Sequence, residues 1–229
     1  MSQSLPIVLV PGLFCTQRIY AEQIAALWQF GPVTIADHRR DNTMADVARY
    51  ILANAPPHFA LAGLSMGGYI ALEIMRQAPE RVRKLALLDT TARPDTAEQT
   101  QIRNEQIAIA RAGGFGKLPY AAIPMLIHRK ESLNEVIVQM AAETGAEAFI
   151  RQQQAIIGRV DSRPHLASIR CPTLVMVGAN DRLIPPERSQ ELAAGIAGAR
   201  YVEIPDCGHL STLEQPDLAT KALVEWLAA

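Results

Sequence analysis

A serine set between two glycines is the position in this chain with the plainest chemical potential. The segment Phe59-Ala60-Leu61-Ala62-Gly63-Leu64-Ser65-Met66-Gly67-Gly68-Tyr69 puts Gly63-x-Ser65-x-Gly67 between an apolar run and a stretch of helical spacing. That is the strand–turn–helix setting in which such a spacing forms a nucleophile elbow. So tight a turn pushes the serine to positive φ and brings backbone so close that side chains at 63 and 67 would clash. The helix starting at Met66 aims unpaired amide hydrogens at the same point, so the Met66 amide can receive a developing oxyanion. The plainer reading is a glycine-rich turn whose serine only caps the helix.

A serine nucleophile needs a base, and the base needs an orienting carboxylate. After such an elbow the expected order is acid, then histidine, each in a loop behind a late strand. Asp181 follows the apolar run Thr173–Val177 in the loop Gly178-Ala179-Asn180-Asp181, and His209 follows the run ending at Ile204 in Asp206-Cys207-Gly208-His209. Asp89, at the end of the run Leu85–Leu88, is the rival acid; Asp181 is preferred because its loop neighbours that of His209 in chain order. Asp206 lies too near His209 along the chain to reach its ring and reads as a turn residue. His38, His58, His128 and His165 read as structural or surface residues. A second oxyanion donor is expected from Pro11-Gly12-Leu13-Phe14-Cys15, where Gly12 permits a sharp turn and Leu13 offers its amide. Cys15 and Cys207 lack an elbow and an adjacent base, so they read as small buried or lining residues.

These loops need a scaffold that brings them to one edge. Short runs at Ile7–Val10, Val33–Ala36, Phe59–Leu64, Leu85–Leu88, Thr173–Val177 and Tyr201–Ile204 are apolar at nearly every position. Such runs suit strands buried on both faces, and the stretches between them carry helical spacing. The predicted fold class is α/β: a mostly parallel sheet of about six strands flanked by helices. Between residues 92 and 165 no strand is expected, only helices near Ala97–Ala112, Lys117–Ile127, Leu133–Glu143 and Ala146–Ile157. The expected division is a sheet domain, residues 1–91 and 166–229, with residues 92–165 inserted as a helical lid.

Composition narrows the function classes. The chain has 229 residues, 22 Lys+Arg against 23 Asp+Glu, a net charge of −1 and three cysteines. Scattered, balanced charge argues against a nucleic-acid partner, and no apolar run approaches the ~20 residues of a membrane span. Three distant cysteines suggest neither a disulfide framework nor a metal site, and no cofactor is implied. Met1-Ser2-Gln3-Ser4-Leu5-Pro6 lacks the basic and apolar regions of a secretion signal, so a cytoplasmic location is expected.

Together with the Pro79-Glu80-Arg81-Val82 turn, Leu87-Leu88-Asp89-Thr90 and Leu213-Glu214-Gln215-Pro216, these motifs resemble the α/β-hydrolase superfamily across nearly the whole chain. The similarity is greatest to small capped esterases and 3-oxoadipate enol-lactonase-like proteins. It implies Ser65 as nucleophile, Asp181 as acid, His209 as base, and the Leu13 and Met66 amides as oxyanion donors. Two departures stand out: Pro11-Gly12 replaces the usual His-Gly, and with Ile7–Val10 as the first run a sheet without the family's two leading antiparallel strands is expected. The expected activity is hydrolysis of a small ester, thioester or lactone through an acyl-serine. Phe14, Arg93 and Met125 are candidate substrate contacts, and the lid residues Leu118, Tyr120, Ile123, Leu126 and Ile127 are candidates for an acyl pocket. One alternative is a lyase similar to the 2-succinyl-cyclohexadiene carboxylate synthases, for whose anionic substrate Arg93, Arg129 and Lys130 are the visible bases. Another is a ligand-binding protein on a hydrolase scaffold.

Overall fold

Each of the six apolar runs forms a strand in the computed structural model, which describes residues 4–229. Residues 1–3, part of the N-terminal stretch read above for a secretion signal, lie outside the described residues. The strands are β1 (Ile7–Val10), β2 (Val33–Ile35), β3 (Phe59–Leu64), β4 (Val82–Leu88), β5 (Thr173–Gly178) and β6 (Arg200–Ile204). All neighbouring pairs run parallel, in the order β2-β1-β3-β4-β5-β6. The helices are α1 (Ala21–Leu27), α2 (Met44–Asn54), α3 (Met66–Gln77), α4 (Ala97–Ile109), α5 (Leu118–Leu126), α6 (Asn134–Thr144), α7 (Ala146–Ile157), α8 (Pro186–Gly195), α9 (Ser211–Glu214) and α10 (Pro216–Ala228).

The alternation of side chains along β1 shows how the sheet is covered. Val8 and Val10 join Val47, Ile51, Ile70, Ile74 and Leu192 of α2, α3 and α8. Ile7 and Leu9 join Leu27, Leu223 and Trp226 of α1 and α10 on the other face. β1, β3 and β5 are buried at every position, whereas the edge strands β2 and β6 are partly exposed. Burial on both faces therefore holds for the central strands and not for Val33–Ile35 or Tyr201–Val202, where the flanking layers thin out. Thr43 caps α2 by accepting from the Asp46 amide. Neither α1 nor α9 was foreseen; both are short, and their apolar residues are too few to show a period.

Between β4 and β5 the chain is helical, with α4 to α7 and short 3-10 turns. Gly113, at φ 81°, breaks the chain between α4 and α5. Phe14, from the loop after β1, stacks on Phe149 of α7 with ring centroids 4.6 Å apart and meets Phe115 at 6.0 Å. Ile107, Leu118, Ala141 and Ile150 complete that small apolar cluster. No helix among the described residues is long and apolar enough to cross a membrane.

Candidate active site

The elbow is built as its glycines require. β3 ends at Leu64, α3 begins at Met66, and Ser65 between them sits at φ 55°, ψ −115°. A non-glycine residue there costs about 1–3 kcal/mol, so its surroundings must hold it. They do: the Ser65 amide donates to the Leu88 carbonyl at 2.9 Å, and Thr90 Oγ1 donates to the Ser65 carbonyl at 2.8 Å. A methyl on Gly63 would stand 2.2 Å from the Gly67 carbonyl oxygen, and one on Gly67 would stand 2.0 Å from that of Val10. The Ser65 side chain makes no cap hydrogen bond, which removes the plain helix-cap reading.

The hydroxyl instead meets an imidazole. Ser65 Oγ lies 2.8 Å from His209 Nε2, and His209 Nδ1 lies 2.7 Å from Asp181 Oδ2. The other Asp181 oxygen accepts from the Leu183 and Ile184 amides, each at 2.9 Å, which locks the carboxylate's orientation. A carboxylate accepts only, so Nδ1 carries the ring proton and the Nε2 lone pair is left to take the serine proton. Burial opposes a charged imidazole, but the charge of Asp181 and its hydrogen bond outweigh that, and with Asp89 and Glu214 they raise the His209 pKa above its usual 6.5.

Asp89 is fully buried at the same sheet edge but does not touch the ring. Its carboxylate accepts from the Gly178 amide at 2.9 Å and from Ser211 Oγ at 2.5 Å. Burial, then repulsion from Asp181, pushes its pKa up to about 7. Glu214, which no spacing argument singled out, clamps the histidine loop: its buried carboxylate accepts from the amides of Gly208 at 2.9 Å and His128 at 2.8 Å. The His209 amide in turn donates to the Leu126 carbonyl at the end of α5.

Beside the serine, the Leu13 and Met66 amides donate to no acceptor among the described residues. The loop abuts the elbow, since a methyl on Gly12 would come within 3.3 Å of Ser65 Cβ. Phe14 takes φ 65°, and its carbonyl accepts from Thr144 Oγ1 at 3.2 Å. Burial raises the Cys15 thiol to about 12 and pushes Cys207 up as well, so neither is a thiolate near neutral pH.

Ser65, His209, Leu13 and Phe14 open on a cavity of about 290 Å³. Ala122 and Leu126 of α5 and Ile137 and Met140 of α6 form its apolar side. Met125, proposed as a contact, is 42% exposed and does not line it; nor does Tyr120, which is 61% exposed. The helical repeat explains both corrections, because residues 122 and 126 turn inward together and leave 120 and 125 outside. Leu118 instead packs in the cluster around Phe14, and Ile123 and Ile127 pack in the core around α10.

The lining also carries arginines. Arg93, Arg103, Arg159 and Arg188 line the cavity, and among the described residues no carboxylate does. Arg93 is gripped by both oxygens of Glu191 at 2.8 Å. Arg103 and Arg159 share the buried Asp95 at 2.6 and 2.7 Å. Arg129 and Lys130 lie outside the cavity; Lys130 donates to the Glu214 carbonyl. Arg103 and Arg159 escaped notice because one lies on α4 and the other in the irregular segment after α7, and only the tertiary fold brings them together.

A six-stranded parallel sheet carrying a serine, an imidazole and a carboxylate in line at its C-terminal edge, with helices α4 to α7 between β4 and β5, defines an α/β-hydrolase. The chain belongs to the alpha/beta hydrolase family, whose model matches residues 7–222. It is 30% identical over 203 residues to the putative carbamate hydrolase RutD of Klebsiella pneumoniae (strain 342), covering 82% of this chain and 74% of that one. A thermophilic esterase from Thermogutta terrifontis, solved with malate bound, superposes with a TM-score of 0.89 at 31% identity, covering 98% of this chain and 89% of the other. The enol-lactonase from Burkholderia xenovorans LB400 gives a TM-score of 0.89 at 28% identity, covering 100% of this chain and 93% of the lactonase.

Proposed function

We propose that this hydrolase cleaves a small carboxylic ester, thioester or lactone through an acyl-serine intermediate on Ser65. The observation that carries this reading is the unbroken hydrogen-bond line from Ser65 Oγ through His209 to Asp181. Ser65 attacks the carbonyl carbon as its proton passes to His209 Nε2, and the Leu13 and Met66 amides stabilise the oxyanion. Collapse breaks the bond to the leaving alcohol or thiol, which takes the proton from His209. Water, deprotonated by the same imidazole, then releases the acid and restores Ser65. The esterase and enol-lactonase likenesses support ester or lactone cleavage, and the RutD likeness adds carbamates to the substrates worth assaying. The arginines in the lining favour substrates with an anionic group, a preference consistent with the malate-bound esterase.

The same arginines support a second reading, in which the site abstracts a proton from an anionic substrate and expels a leaving group as a lyase. Labelling with a fluorophosphonate, together with a panel of short acyl esters, thioesters, lactones and carbamates, separates the two. Ser65 labelling with turnover on the panel is the expected result. Rapid labelling without turnover favours the lyase, and no labelling of Ser65 removes both in favour of a binding role.

Because His209 must be neutral to act as base, kcat/KM is expected to fall as pH drops through its raised pKa. The acid limb should therefore sit above 6.5, losing about tenfold per pH unit below it. A pH–rate profile with its acid limb at or below 6 would contradict the proposed electrostatics of the Asp181 pair.

A further inference from the structure

His38 is a buried titratable residue for which the hydrolytic scheme has no use. It follows β2, is 2% exposed, and places Nε2 2.9 Å from the Gly12 carbonyl oxygen. A carbonyl only accepts, so Nε2 carries the proton and donates. Burial holds the ring below the usual imidazole range, although the Gly12 bond and Asp37 pull the other way, so the ring is neutral under assay conditions near pH 7. His38 lines a groove with Pro11, Cys15 and Asp37 that does not include Ser65. It thus reaches the loop from the side away from the catalytic cavity.

The identity of the acceptor is what matters. Gly12 C=O and Leu13 N–H belong to one planar trans peptide unit and point in opposite directions. An anchor on the oxygen therefore aims the hydrogen. Gly12 has wide torsional freedom, so this peptide plane can rotate unless something fixes it. Rotation would turn a carbonyl dipole toward the position where negative charge develops. Within the loop the Cys15 thiol donates to the next carbonyl, Leu13 O, at 3.4 Å, and residues 11–14, Pro-Gly-Leu-Phe, offer the Gly12 oxygen no polar side chain. The Cys15 amide also donates to Gly12 O, at 3.1 Å, but that bond closes a turn within the loop and leaves the turn free to tilt as a unit. His38 is the side chain that ties this oxygen to the neighbouring strand's end.

We infer that His38 is a positioning residue for the oxyanion site, holding the Gly12–Leu13 peptide so that the Leu13 N–H faces Ser65. The inference rests on the acyl-serine reading above.

Its test compares His38→Phe, which removes the donor, with His38→Gln, whose carboxamide can still donate to Gly12 O. Two readouts are followed: the rate of Ser65 phosphonylation by a fluorophosphonate, and kcat and KM for p-nitrophenyl acetate. Deleting an oxyanion donor outright costs about 10²–10³ in kcat, so misaiming one is expected to cost roughly 10-fold or more. His38→Phe should lose about that much in kcat and phosphonylation rate with KM within about twofold, and His38→Gln should recover most of it. A folded His38→Phe that phosphonylates at the wild-type rate overturns the inference, as does an equal loss in His38→Gln. Should His38→Phe misfold, His38→Leu lacks the donor in a smaller side chain and is judged by the same outcomes. Failure of wild-type Ser65 to label at all would instead overturn the hydrolase reading on which the inference rests.

Discussion

Replacing Ser65 with alanine is expected to lower kcat/KM on any substrate that the wild type turns over by at least ~10⁴-fold, with the fold intact. Removing the nucleophile of a hydrogen-bonded triad costs about as much as removing all three members, because the imidazole and carboxylate act only through the hydroxyl. What survives is binding and whatever the amides contribute to direct attack by water. The loss should not come from unfolding. Among the described residues the Ser65 side chain bonds only to His209, while the backbone bonds to Leu88 and Thr90 that hold the elbow do not involve the hydroxyl. Alanine at φ 55° is strained no more than serine, so a thermal melt should show a change within about 1 kcal/mol. Retention of more than a hundredth of wild-type turnover by a pure Ser65→Ala preparation would rule out the acyl-serine route.

The second large effect decides which carboxylate serves the histidine. Asp181→Asn is expected to lower kcat by roughly 10³–10⁴, the scale seen when a triad aspartate becomes an amide. The local bonds give the reason. The Leu183 and Ile184 amides both claim Oδ1, so the asparagine oxygen is held there and its NH₂ group is turned to His209 Nδ1. The imidazole then takes the tautomer protonated on Nε2 and cannot accept from Ser65. Asp89→Asn meets the opposite circumstances: its oxygen can still accept from the Gly178 amide while its NH₂ donates to Ser211 Oγ. Its kcat should stay within about tenfold of wild type. Steady-state kinetics on the two variants would reverse the assignment if Asp89→Asn were the inactive one.

The motif-bearing parts of this molecule were legible because their constraints are local. Gly63, Ser65 and Gly67 are read within five residues, and the clashes that exclude larger side chains are contacts within the elbow and with the end of β1. The order of Ser65, Asp181 and His209 could be read because parallel strands place all their trailing loops at one edge. Where amphipathic repeats were long, as in α4, α6 and α7, the elements were legible too; short α1 and α9 were not. The cavity wall was read less well. Met125 and Tyr120 looked like pocket residues by composition, but which side of α5 faces inward depends on the helices packed against it.

Sequence alone thus determined the family, through the resemblance of its motifs, and also the parallel sheet and the three side chains that the proposal joins, which follow from spacing, turn chemistry and chain order. The tertiary fold decided everything that depends on distance between remote segments. It seated Asp89 on Ser211 rather than on the imidazole, and it gathered Arg93, Arg103, Arg159 and Arg188 around one cavity. It also brought His38 across to the Gly12 carbonyl. A hydrogen bond or an ion pair is made over about 3 Å of space, and separation along the chain says nothing about that distance until the strands are ordered and the helices packed.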